Sequence, residues 1–180
     1  MRSLNVRVTL NFQKMSYVQA HAITLLSILN EFRANEKYTD VTIVFENKSF
    51  VCHRVAHSAS CEYFDTLFSS NFKDSTINSI AGLKDIMSAA TFEEILRFIY
   101  KGDAEVTSEN VCDLLLAVDF LRLRHKSMGD LCVKFIEENR ITLQVENMFK
   151  IFKFALSTGR QCLTNMLLCD IASKLKQFSK

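Results

Sequence analysis

Thr39-Asp40-Val41-Thr42-Ile43-Val44-Phe45-Glu46-Asn47-Lys48-Ser49-Phe50-Val51-Cys52-His53 is the stretch on which the fold turns. Val41, Ile43 and Phe45 alternate with Thr42 and Val44, the two-residue period of a half-buried strand. Glu46-Asn47-Lys48-Ser49 is a polar turn and Phe50-Val51-Cys52 returns, so residues 39–53 read as a β-hairpin. Most of the surrounding sequence has the period of a helix instead.

On the N-terminal side, Val18, Ala22, Leu25, Leu29 and Phe32 recur at three- and four-residue steps, which predicts a helix over 16–32. Ile23, Leu26 and Ile28 widen its apolar stripe beyond one core face. A helix of that kind is either central or pressed against another chain. Further upstream, Val6, Val8, Leu10 and Phe12 alternate with Arg7, Thr9 and Asn11 and predict a strand. Arg2, Arg7 and Lys14, with no acid before Glu31, are presequence-like, but the alternation is not that of an amphipathic targeting helix.

On the C-terminal side, Tyr63, Phe64, Leu67 and Phe68 predict a helix, and Thr76 to Leu83 a short strand around Ile77 and Ile80. Thr91-Phe92-Glu93-Glu94 has the spacing of a capping box, opening a helix with Phe92, Ile95, Leu96, Ile99 and Tyr100 that Gly102 ends. Ser108 is the expected cap of the next helix, whose core candidates are Val111, Leu114, Leu115, Val118, Phe120 and Leu121. Helices follow from Ser127 to Asn139 and from Thr142 to Gly159, the latter with Phe149, Phe152 and Leu156 on one side. A last amphipathic segment runs from Leu163 to Phe178. No linker composition divides these parts, so they are expected to pack continuously.

The composition agrees with a mostly helical chain: among 180 residues there are no prolines and only four glycines. Propellers and phosphate-cradling folds, which need glycine, are disfavoured. The net charge of +2 argues against a nucleic-acid binder. It is distributed as +3 over residues 1–38, −5 over 39–109 and +4 over 110–180, a pattern that suits protein contacts. No apolar run is long enough to span a bilayer.

The six cysteines form no C-x-x-C pair, which points to reduced core residues. Cys52, His53, His57 and Cys61 are the one cluster with zinc-ligand types, since a helix would align the last three. Cys52 and His53 are adjacent, which hinders both from reaching one metal, so a core histidine with buried thiols is the competing reading. The sequence has no phosphate loop, no G-x-S-x-G, no H-E-x-x-H and no D-x-D-x-D-G run. Glu93-Glu94 and Glu137-Glu138 lie at helix ends, where dipole effects account for them. No enzyme activity, cofactor or metal is expected.

The fragments Asp40 to Val44, Phe50 to Arg54, Tyr63 to Phe68, Phe72-Lys73-Asp74-Ser75, Phe92 to Gly102 and Asn110 to Leu121 follow in an order that resembles the BTB/POZ domain of kelch-like proteins. The resemblance implies an α+β fold, with an N-terminal arm at 1–16, a BTB/POZ domain at 17–125 and an all-helical extension at 126–180. That extension is similar to the 3-box and the start of a BACK domain. It also implies a homodimer whose interface includes Ile23, Leu26 and Ile28, with Asp40 and Arg54 as a charged pair buried nearby.

Kelch-like relatives recruit the cullin-three scaffold as ubiquitin-ligase adaptors. Their contact motif, an apolar residue, any residue, then glutamate, is matched here by Phe72-Lys73-Asp74, with Phe68 lining the same groove. Asp74 is one methylene shorter than the glutamate. His57 stands where the family has an aliphatic residue, at a cost of up to a few kcal/mol unless it finds a partner. With no Trp and no Gly-Gly pair, no kelch repeats are expected. Partners implied are cullin-three and a second BTB chain, identical or related, with neither nucleic acid nor membrane; the location implied is cytoplasmic, with the nucleus as an alternative. Three other readings stay open: a dimerisation-only protein that inhibits full-length relatives, a BTB transcriptional co-regulator, and a metal or redox enzyme on the cysteine–histidine cluster.

Overall fold

The computed structural model describes residues 17–69, 79–139 and 145–178. In chain order these form α1 (Tyr17–Ala34), β1 (Val41–Val44), β2 (Ser49–Cys52), α2 (Arg54–Ser60), α3 (Glu62–Ser69) and β3 (Ser79–Ile80). A 3-10 turn at Gly82–Asp85 leads to α4 (Ala89–Lys101), α5 (Val111–Leu121), α6 (Ser127–Asn139), α7 (Val145–Ser157) and α8 (Gln161–Phe178). The class is α+β, a small sheet flanked by helices and followed by an all-helical extension.

The hairpin forms as its alternation predicts. β1 and β2 are antiparallel, with Val41 opposite Cys52 and Ile43 opposite Phe50, and Phe45 N–H donates to Lys48 O at 2.8 Å to close the turn. Val41, Ile43, Phe45, Phe50 and Cys52 are buried, so one face of the sheet lies on the core. β3 pairs parallel to β1 and sets the strand order β2-β1-β3. The strand expected over 76–83 is only Ser79–Ile80 among the described residues. The chain then leaves the extended conformation, and Leu83 is buried in the 3-10 turn.

Against this sheet face stands α4, whose Phe92 ring lies 5.4 Å from Phe45 and 5.3 Å from Phe50. All five core candidates of α4 are buried. The helix is capped three residues earlier than the expected capping box. Ser88 is the cap, its Oγ accepting from Thr91 N–H at 3.1 Å. Thr91 is itself buried, its hydroxyl 2.9 Å from Ser88 Oγ, and Glu94 instead accepts from Glu105 N–H at 2.8 Å. Gly102 ends the helix at φ 75°, a left-handed conformation that favours glycine.

Ser108 is not the cap of α5. Thr107 and Asn110 cap each other reciprocally: Thr107 N–H donates to Asn110 Oδ1 at 2.8 Å and Asn110 N–H to Thr107 Oγ1 at 3.3 Å. Within α5, Val111, Leu114, Leu115 and Leu121 are buried, but Phe120 is exposed. The core runs without a break from the sheet through α4 and α5 into Met128, Cys132 and Ile136 of α6, Met148 and Ile151 of α7, and Leu163, Leu167 and Ile171 of α8. On α7 the side with Phe149, Phe152 and Leu156 is not the buried one: Met148, Ile151, Phe154 and Ala155 face the core, while Phe149 and Leu156 are exposed. The N-terminal strand and the Thr142 cap lie outside the described residues. Among the described residues no helix is long and apolar enough to cross a membrane.

Candidate protein-interaction site

α1 leans on α4 through half-buried Leu26, Leu29 and Arg33, and has no buried residue along its length. Arg33 places its guanidinium 5.2 Å from the Tyr100 ring centre. Leu25 and Ile28 are 57% and 42% exposed on one flank, and Ile23, 56% exposed on the other, borders a hollow with Leu26 and Tyr100. A helix so apolar and so exposed is the kind of surface that protein partners cover. Of the dimer residues expected from sequence, Ile23 and Ile28 are on exposed faces. Leu26 instead turns inward and lines an open cleft of about 410 Å³ with Phe98 and Ile99 of α4. Leu25, exposed beside Ile28, is the residue that the sequence reading gave to the core stripe.

Asp40 and Arg54 are brought together, though not as a buried pair within the protomer: Asp40 is exposed and Arg54 half-exposed. Asp40 Oδ1 accepts from the backbone N–H of Arg54, the first residue of α2, at 2.7 Å. Arg54 Nε donates to Asp40 O at 3.3 Å. His53, the residue before α2, supplies no side-chain cap, so Asp40 takes that role from across the hairpin. The Arg54 guanidinium covers the Phe68 ring at 4.9 Å and links this corner to the end of α3.

Phe68 is half-buried one residue before the end of α3, its ring 5.7 Å from that of Phe64. Phe72, Lys73 and Asp74 lie outside the described residues. Beside Phe68 is an apolar ridge that sequence reasoning missed. Tyr63 on α3 packs on Phe120 of α5 at 5.1 Å, Leu116 is exposed one turn before Phe120, and Ile86 shares a shallow hollow with Leu116. The signal was present: Leu116 and Phe120 are four apart and off the stripe formed by Val111, Leu114, Leu115 and Leu121. The ridge is held in place by backbone bonds from Glu62 N–H to Arg122 O at 3.1 Å and from Arg124 N–H to Ser60 O at 2.9 Å. Arg124 also pairs with Asp65.

The cysteine–histidine cluster is part of the core. His53 Nε2 faces Lys37 O at 3.0 Å, an acceptor, so that nitrogen carries the proton. Nδ1 then accepts from the Tyr100 hydroxyl at 3.0 Å. Both ring nitrogens are thereby used. His57 is fully buried with no hydrogen-bond partner on either ring nitrogen, enclosed by Phe64, Phe92 and Tyr100. Burial, with His53 and Arg33 nearby, holds its pKa down at about 3. Burial pushes the Cys52 and Cys61 thiols up to about 12, so neither is an available thiolate near neutrality. Among the described residues no group of three or more His, Cys, Asp or Glu side chains could hold a metal ion.

The BTB/POZ domain family model matches residues 29–140. Kelch-like protein 24 of Homo sapiens is 34% identical over 127 residues, which is 71% of this chain and 20% of that protein. Kelch-like protein 21 of Danio rerio is 34% identical over 136 residues, 76% of this chain and 21% of that protein. The chain thus spans about a fifth of the length of the curated relatives it matches. Among solved structures, the BTB domain of zebrafish PATZ1 superposes with a TM-score of 0.57 at 26% identity, covering 69% of this chain and 98% of that one.

Proposed function

Because this chain belongs to the BTB/POZ domain family, we propose that it is a dimeric protein-interaction subunit that recruits the cullin-three scaffold. The observation that carries the reading is α1, an 18-residue helix with no buried residue and an apolar outer side. A second BTB chain covers Ile23, Leu25 and Ile28 and also buries the Asp40–Arg54 corner. The cullin then binds the other exposed apolar region, Phe68 and the Tyr63–Phe120 ridge, with Phe72 as anchor and Asp74 as its polar end. The acidic balance of residues 39–109, which contain Tyr63, Phe68, Phe72 and Asp74, favours a basic partner surface on that side of the region.

One residue favours a second reading. Asp74 has a shorter reach than the family's glutamate, and a dimer that fails to hold cullin would pair with full-length relatives and lower their ligase activity. The two readings separate in a titration of the N-terminal domain of cullin-three into the protein. On the first, Phe72→Ala weakens binding by about 2 kcal/mol or more, as loss of an apolar anchor does, and Asp74→Glu tightens it. Absence of binding to the unaltered protein, restored by Asp74→Glu, would establish the second.

A further inference from the structure

α7 and α8 form a helical hairpin about a short turn through Gly159, so they run antiparallel. Met148, Ile151 and Ala155 of α7 and Leu163, Leu167 and Ile171 of α8 are buried. Each helix carries a second apolar row. On α7 it is Val145, Phe149, Phe152 and Leu156, at steps of four, three and four. On α8 it is Leu168, Ala172 and Leu175. Leu156, Leu168 and Leu175 are 56%, 54% and 50% exposed.

At about 100° per residue, both rows stand roughly 100° round from the buried seam, in the same rotational sense. On antiparallel helices, equal-sense offsets fall on one side of the pair. The two rows therefore form one apolar face, a shallow trough with the shape that another amphipathic helix fills. Its borders are basic, with Lys153 exposed on the α7 side and Lys176 on the α8 side. Lys150 is tied to Glu146 at 3.3 Å. Over residues 145–178 the cations are Lys150, Lys153, Arg160, Lys174 and Lys176, and the acids only Glu146 and Asp170. A second copy of this hairpin would bring like charges together, whereas an acidic helix would complement them.

We propose that this face of α7 and α8 docks an acidic amphipathic helix supplied by a partner protein. Its apolar row sits between Phe152 and Leu156 on one side and Leu168 and Leu175 on the other, with carboxylates directed to Lys153 and Lys176. This surface is separate from α1 and from the ridge beside Phe68.

The test uses the full chain and two synthetic amphipathic peptides of about eighteen residues, five helical turns. They share one leucine row and differ in carrying glutamate or lysine elsewhere. The acidic peptide is expected to bind about tenfold or more tighter than the basic one in fluorescence anisotropy. Leu156→Asp with Leu168→Asp should remove binding, and Lys153→Glu with Lys176→Glu should reverse the preference, with helicity by circular dichroism unchanged in both. Equal affinity for the two peptides, or no binding of either, would overturn the proposal. So would a fall in oligomeric mass of the Leu156→Asp/Leu168→Asp variant, which would make the face a contact between copies.

Discussion

His57 puts two polar ring nitrogens among Phe64, Phe92 and Tyr100 without a hydrogen bond to either. Its ordinary value of 6.5 falls to about 3 in the fold, chiefly through burial. Between those values the unfolded chain takes up a proton that the folded chain refuses. Stability therefore declines as pH falls through this window, by about 1.4 kcal/mol per unit, and the loss ends below the folded value. His57→Leu restores an apolar side chain and should stabilise the protein by about 1–3 kcal/mol near pH 7.5. At pH 5 the gain should be about 2 kcal/mol larger. Urea unfolding of both proteins at the two pH values checks this, and a gap independent of pH would contradict it. The burial of His57 was legible only through the resemblance to the family, which has an aliphatic residue at that place. Its lack of a partner was not, since that depends on rings brought from α3 and α4.

Among the elements, α2 depends on a residue outside itself. Asp40 Oδ1 accepts its first backbone N–H, while His53 gives no cap. Asp40→Ala should destabilise the chain by about 1–2 kcal/mol, the cost of a lost cap, with Asp40→Asn losing less; thermal melts would measure both. Protection of α2 amides in hydrogen exchange should fall with it. At α4 the capping residue is Ser88, so Ser88→Ala should cost about 1 kcal/mol, a loss that no capping role of Thr91 and Glu94 would predict. Both hydroxyls stand three residues from a plausible partner, which is why the sequence alone favoured the wrong one. Burial of Thr91 decides it, because a residue packed in the core is already inside the helix. The buried row of α7 was open for a related reason. Phe149, Phe152 and Leu156 and the smaller row Met148, Ile151 and Ala155 both have helical spacing, and only packing against α8 and the core distinguishes them.

For the whole molecule, the hairpin at 39–53, the order of the motifs and the helical extension were all readable before any coordinates. Periodicity survives where a segment has one buried face, as in α4 and β1. Exposed apolar surface was placed only in part: Ile23 and Ile28 were expected outside the core face, but Leu25, Phe120 and Leu156 look like core residues until the tertiary contacts are known. These exposed faces are the basis for regarding the protein as an assembly subunit. The most direct test is size-exclusion chromatography with light scattering, on the protein alone and with the N-terminal domain of cullin-three. The account predicts a particle of twice the chain mass that co-elutes with cullin at micromolar concentration, and a monomer when Leu25 and Ile28 are both changed to Asp. A monomeric unaltered protein that elutes apart from cullin would contradict it.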